Sequence, residues 1–301
     1  MKLILAIALI LSISHFLDLP NFLAGLAKKT QTICQEMTPT FSKEKGTIAS
    51  LVCGEKVLDP NYYLALQVTG LIHIFVVSAG QLVVISEILI FLGWSRFFLF
   101  FVLLCFTLMT GLQAPCVRSL IGWSLGFFLV EKKLFLTGPQ TVFFTGVFTL
   151  ALFPDWCQSF SLQLSWAAAL ALALAATFKN KNHSSVQHLL VTSGWVFLIL
   201  LPLLQSMGGA HPLSILWNVT LGTLTAFFLF PLCILAFINS FFLSVLETVM
   251  TFFWASLNLG HQFQFEAIKE PPSYLKGWLW ILSLHFILQF SGLFYQRTYK
   301  T

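Results

Sequence analysis

The chain has 301 residues, of which 57% are hydrophobic and only 9% charged, whereas soluble domains carry about 25% charged residues. So few polar side chains cannot coat a water-facing globule. The composition therefore excludes a soluble enzyme or binding domain and points to an all-α, polytopic membrane protein. The net charge of +5 is dispersed, so it offers no basic face for nucleic acid by charge alone and serves instead to set topology.

About ten apolar segments, each near the ~20 residues that a crossing requires, run along the chain. They are 3–26, 71–92, 97–112, 115–130, 134–153, 160–178, 188–207, 212–234, 241–259 and 275–294. Residues 1–27 read as an N-terminal membrane helix, 28–58 as a short extracytoplasmic loop, and 59–301 as a membrane domain with some helices broken or re-entrant. The first segment also has the Lys2-plus-apolar form of a cleaved signal peptide. Its apolar core passes Asp18 and Pro20 to Leu26 with no small-x-small cleavage site, which favours a retained helix.

In the polar first loop, Cys34 and Cys53 either stay free or pair. A bridge in an oxidising space would contribute about 3 kcal/mol by loop closure. Cys105, Cys116, Cys157 and Cys233 read as small packing residues, and no spacing suggests a zinc site. Asp59-Pro60 has the chemistry of a helix start. Leu64, Val68, Leu71 and Phe75 then share a face opposite Asn61 and Gln67, which predicts an amphipathic helix at the outer surface.

The next span holds His73, Ser78, Ala79-Gly80-Gln81, Ser86 and Glu87. A charged group at a membrane-helix centre costs roughly 2.5–3.5 kcal/mol, so these side chains are expected to face a partner, a cavity or a pathway. Small residues in mid-span permit an interrupted helix. The third and fourth segments meet at Gln113-Ala114-Pro115 and read as a tilted or re-entrant pair. Arg118, beyond that break, is the only arginine well inside an apolar region. Two readings stand: it contacts a passing phosphate with helix ends adding partial positive charge, or it forms a buried ion pair with Glu87 or Glu247.

Ala167, Ala171 and Ala175 recur every fourth residue, so one face of the sixth segment is expected to admit a neighbouring helix closely. Gln163 and Asn218 either line a pathway or join helices by hydrogen bonds. Ser244, Glu247, Thr248, Thr251 and Asn258 form a stripe expected to face protein or water. Arg96, Lys132-Lys133, Lys179 with Lys181, and Arg297 with Lys300 fall in alternate connections. The positive-inside rule puts these loops, and both termini, in the cytoplasm. No HExxH pair, GxSxG elbow, P-loop or paired acidic cluster is found. No enzyme activity and no cofactor is expected, and the energy for transport must come from a partner or an ion gradient.

Cys53-Gly54-Glu55 followed by the run from Thr69-Gly70-Leu71-Ile72-His73 to Ser78-Ala79-Gly80-Gln81 resembles the signature of the ComEC competence-protein family. That family shows a Gly-Asp and then Thr-Gly-Leu-x-His-x-x-x-x-Ser-Gly-Leu-His. Thr110-Gly111 with Pro115-Cys116-Val117-Arg118-Ser119 is similar to its Thr-Gly…Pro-Ser-x-x-Arg-Ala motif. Phe160-Ser161-Leu162-Gln163-Leu164-Ser165-Trp166-Ala167-Ala168 is similar to its Phe-Gln-Leu-Ser-Phe-x-Ala motif. Leu201-Pro202, Pro212-Leu213-Ser214, Asn218 and Pro231 resemble a last segment, in the family's order. The likeness covers about residues 50–238.

The resemblance implies a channel domain at residues 59–301 that carries single-stranded DNA across a bacterial inner membrane during natural transformation. Its path would include His73, Ser78, Gln81, Glu87, Arg118, Gln163 and Asn218. The implied partners are the DNA strand, membrane lipid, an extracytoplasmic DNA receptor, and cytoplasmic helicase or strand-binding proteins. The chain departs from the family pattern at Ala79 and Gln81. Its first loop is expected to be too short for an OB-like domain, and no metallo-β-lactamase-like domain is expected after Phe294. A secondary transporter of a small anionic solute and a transport-inactive membrane scaffold are the alternatives.

Overall fold

Proline and glycine set where the helices begin and end. The structure is a computed structural model that describes residues 18–38, 44–55, 60–72, 79–177, 184–205, 211–237, 239–261 and 273–290. Every regular element among them is helical. In chain order they are α1 Leu19–Met37, α2 Lys45–Cys53, α3 Pro60–Val68, α4 Ala79–Phe91, α5 Arg96–Met109 and α6 Ala114–Glu131. There follow α7 Gly138–Leu152, a 3₁₀ turn Pro154–Gln158, α8 Phe160–Thr177, α9 Ser185–Gln205, α10 Ser214–Ala236, α11 Ser240–His261 and α12 Tyr274–Phe290.

The starts use proline and reciprocal caps. Pro60 opens α3 and Pro115 sits in the first turn of α6, where a missing N–H costs nothing. At α7 the Thr137 hydroxyl accepts from the Gln140 N–H at 3.4 Å, while the Gln140 side-chain oxygen accepts from the Thr137 N–H at 3.0 Å. The ends use left-handed residues. At α3, Gly70 (φ 73°) lets its own N–H reach the Gln67 carbonyl and the Leu71 N–H reach that of Leu66. The same paired bonds close α5 at Gly111.

Among the described residues four clusters of buried side chains hold the helices together, the smallest joining α1, α5 and α6 around Ala27, Leu108 and Val117. One joins α2, α3, α10 and α11 around Leu51, Leu66, Cys233, Met250 and Phe253. A second joins α8, α9 and α12 around Trp166, Leu170, Leu200, Leu203 and Ile281. A third joins α4, α5 and α6, with Phe230 of α10 inserted into it. Ala167, Ala171 and Ala175 are buried in the α8 interface, as their spacing anticipates. On the neighbouring side Gly146 of α7 lies flat against the Trp166 ring, with no space for a Cβ.

Four sequence expectations bear on the fold. The anticipated ten crossings are not reproduced: four described helices are long and apolar enough to cross by themselves, namely α8, α9, α10 and α11. Helices Ala79–Phe91, Arg96–Met109 and Gly138–Leu152 are apolar but shorter. At 1.5 Å rise per residue, Arg96–Met109 and Gly138–Leu152 fall short of a ~30 Å hydrocarbon layer. A hydropathy window runs through capping turns such as Thr110-Gly111, which stop a helix without lowering its apolar content.

Second, the 28–58 loop carries helix at 28–37 and 45–53 among the described residues. Between Ala27 and Met37 there is neither glycine nor proline, so α1 continues past Lys28 and Lys29, and α2 follows. Residues 1–17 lie outside the described residues, so the first-helix expectation can be compared only from Asp18 onward.

Third, α3 buries Ala65 and Leu66 and leaves Leu64 exposed, while Leu71 of the expected face is buried and Val68 and Phe75 lie outside the described side chains. The cause is a stack: the Tyr62 ring lies 3.8 Å from the Trp254 ring of α11 at an interplanar angle of 10°. Fourth, Leu246, Met250, Phe253 and Leu257 take the inward face of α11, and Ser244, Thr248, Thr251 and Asn258 of the polar stripe lie on its exposed face. Thr248 and Thr251 satisfy their hydroxyls on the carbonyls of Ser244 and Glu247.

A candidate substrate cavity

The first turn of α6 and the first two turns of α8 meet α4, α9 and α10 around a cavity of about 440 Å³. Pro115 and Arg118 face it from α6, and Ser161, Leu164 and Ser165 from α8. Gln81 lies on α4, Leu200 and Leu204 on α9, and Gly222, Thr225 and Phe230 on α10, with Tyr63 of α3 at the edge. Among the described residues the wall is apolar apart from this arginine, the three hydroxyls, Gln81 and the Tyr63 side chain.

Arg118 is 6% exposed. Its Nε–H donates to the Ser165 hydroxyl oxygen at 2.9 Å. It forms no ion pair with either carboxylate considered from sequence: Glu87 stands exposed on α4, outside the cavity wall, and Glu247 lies on α11. Burying a guanidinium without a carboxylate is costly, which makes its opening onto a cavity chemically meaningful.

Gln81 is tied down by its amide N–H, which donates to the Leu51 carbonyl at 3.1 Å and so couples the wall of the cavity to α2. Thr225 turns its hydroxyl back onto the Leu221 carbonyl at 2.8 Å. Thr225 and Gly222 belong to two wide π-type turns of α10, Asn218–Gly222 and Thr225–Leu229. Such turns recur at functional sites because they push backbone outward from the helix axis.

The other sequence candidates fall elsewhere. Gln163 is fully buried beside α12: its amide donates to the Tyr274 carbonyl at 2.9 Å, and its Oε1 has no partner. Asn218 donates to the Ser214 carbonyl at 2.7 Å and packs beside Gly70, so the Thr-Gly motif and the Ser…Asn motif meet. His73 and Ser78 lie outside the described residues, although the flanking Ile72 and Ala79 line the cavity. Among the described residues no cluster of His, Cys, Asp and Glu is placed to hold a metal ion.

Sequence reasoning missed Ser165 and Thr225. Ser165 stood within a quoted motif but carried no signal of its own, since a serine in an apolar helix more often bonds its own backbone.

A disulfide joins Cys34 of α1 to Cys53 of α2, with Cα atoms 5.7 Å apart. Next to it Gly54 sits in the left-handed region against the Thr110 carbonyl, and Gln31 and Gln113 donate to the Cys53 and Gly54 carbonyls at 2.9 and 3.3 Å. The disulfide and the α5–α6 turn therefore occupy the same end of the bundle. Cys116 and Cys233 are buried, as packing residues should be, while Cys157 is exposed on the 3₁₀ turn.

Comparison with known proteins gives one match. The family model described as "Competence protein" matches residues 51–298, which extends the motif likeness through α11 and α12. No curated protein and no solved structure matches the chain. With its motifs in order and most of its length inside the match, the chain belongs to the competence protein family.

Proposed function

We propose that this protein is an inner-membrane channel that passes a single DNA strand into the bacterial cytoplasm during natural transformation. Family membership supports a role in DNA uptake, and one observation carries the finer reading. Arg118 stands buried at the cavity with a serine, not a carboxylate, as its partner. A pathway for a polyanion must attract phosphate and release it again. One guanidinium among hydroxyls and apolar side chains meets both requirements.

In this reading the strand enters from the end that carries the disulfide, since disulfides persist in oxidising compartments. The basic turns at Arg96 and at Lys132-Lys133 then face the cytoplasm, where the termini also lie. A receptor delivers DNA from outside, and a helicase or strand-binding proteins draw it inward.

The test is deletion of the gene followed by uptake of labelled DNA. Loss of internalised strand with normal surface binding is the expected result, and unchanged transformation removes the proposal. A second reading, transport of a small anionic solute, is favoured by the cavity's size, which lies within the roughly 300–1,000 Å³ of small-ligand pockets. It predicts normal transformation and a lost solute uptake in the same deletion strain.

A further inference from the structure

We propose that Arg118, Ser165 and Ser161 form a binding site for the non-bridging oxygens of a phosphate group, with Ser165 as the residue that positions the guanidinium. The proposal rests on the reading that the cavity lies on the cargo's route.

An arginine side chain carries five N–H donors in a rigid plane. The Nε–H of Arg118 is taken by Ser165 at 2.9 Å, which fixes the plane against α8. What remains is the end-on fork of the two terminal amino groups. Among the described residues these groups have no partner, and neither is sealed from the cavity that Arg118 lines. Among the described residues no carboxylate lines that cavity.

Ser165 accepts from Arg118 and so keeps its own O–H to donate. Ser161 lies one turn earlier on the same face of α8 and also lines the cavity; its hydroxyl pairs with that of Ser159 at 2.9 Å. α6 and α8 both begin at this end, with Pro115 and Ser161 in their first turns, so their N-terminal partial charges add to the positive potential.

Shape selects the ligand. A planar carboxylate places both oxygens on the fork and leaves the serine hydroxyls unserved. A tetrahedral phosphate fills the fork and still has oxygens directed out of the guanidinium plane toward the hydroxyls. A phosphodiester within a strand and a free phosphate ion share that chemistry.

The test uses the full chain in lipid nanodiscs, with calorimetric titration of three probes: the dinucleotide thymidylyl-thymidine, inorganic phosphate, and uncharged thymidine. Wild type is expected to bind at least one of the two anions and not thymidine. Arg118→Gln should weaken anion binding by about 30-fold or more, and Ser165→Ala by about fivefold, as befits loss of the paired guanidinium bonds and of a single hydroxyl.

Ser165→Thr, which keeps the hydroxyl, should stay within about twofold of wild type, and Ser165→Ala should cost less in the Arg118→Gln background than alone, the remainder being the hydroxyl's own bond to the phosphate. If Ser165→Ala does not insert, Ser165→Val against Ser165→Thr, two side chains of equal size, supplies the same comparison. Tighter binding of the dinucleotide assigns the site to a strand, and tighter binding of phosphate assigns it to a free ion; both support the site. Equal weakness of the Thr and Ala (or Val) variants, additive losses, thymidine binding as tight as the dinucleotide's, or no anion binding by wild type overturns it. Anion binding that survives while gene deletion leaves transformation unchanged keeps the site and removes the channel. Dependence of transformation on the gene without anion binding does the reverse.

Discussion

The indole N–H of Trp166 donates to Nε2 of His285 at 2.8 Å, a bond that ties α8 to α12. Accepting at Nε2 holds the imidazole neutral with its proton on Nδ1. Phe143 packs edge-on to the imidazole at 5.3 Å and Trp278 edge-on to Trp166 at 5.4 Å, so the bond lies within an aromatic cluster.

His285→Phe keeps the ring contacts but leaves the buried indole donor without its acceptor. That should destabilise the protein by about 1–3 kcal/mol, read as a lowered melting temperature in detergent. Trp166→Phe in the same chain removes the stranded donor, and the double variant should recover part of the loss. A double variant that melts as low as the sum of the two single losses would contradict the coupling.

Glycines at three helix ends make a graded series. Gly54, Gly111 and Gly93 all have φ near 70°, a left-handed conformation costing a side chain about 1–2 kcal/mol. At Gly93 nothing lies within 4 Å of an added Cβ, whereas at Gly111 the Gln31 side chain does, and at Gly54 the Thr110 carbonyl does. Gly93→Ala should therefore be the mildest and Gly54→Ala the most severe, because a backbone carbonyl cannot move aside. Thermal unfolding of the three variants checks the order, and equal losses would mean that backbone conformation alone matters.

Opening the Cys34–Cys53 bridge should lower stability by about 2–4 kcal/mol. The paired Cys34→Ser, Cys53→Ser variant and wild type under reductant should then melt at the same reduced temperature. Cys157→Ser, at an exposed position, should melt like wild type. A reductant effect that persists in the paired variant would place the sensitive thiols elsewhere.

Two charged residues of the membrane domain should part company in function. Glu87 is exposed on α4 and outside the cavity wall, while Arg118 is buried and within it. Glu87→Gln is expected to leave DNA entry within about twofold of wild type. Arg118→Gln should cut it about tenfold or more, the scale of one lost charge-assisted hydrogen bond. Both are scored by labelled-strand uptake at matched membrane abundance. Equal effects would remove the cavity from the cargo's route.

Much of the local structure was legible. Pro60 and the Gln113-Ala114-Pro115 break sit where helices begin, and the alanine face of α8 is buried. Caps and four-residue spacing act between neighbours in the chain, so they can be read without a partner. The buried face of α3 was not legible, because it is set by Tyr62 stacking on Trp254, from an element much later in the sequence. At α11 likewise, an amphipathic pattern names two faces but not which one meets the bundle.

Composition and motif order alone determined that this is a helical membrane protein of the competence family. Hydrophobic content and motif order are properties of the chain that no rotation of a helix can change. Only the tertiary structure decided that Arg118 pairs with Ser165 in preference to a carboxylate, and that Gln81 shares its cavity while Gln163 and Asn218 do not. Those outcomes depend on how far each helix turns about its axis. That angle is set by close contacts such as Gly146 on Trp166, summed over the whole bundle.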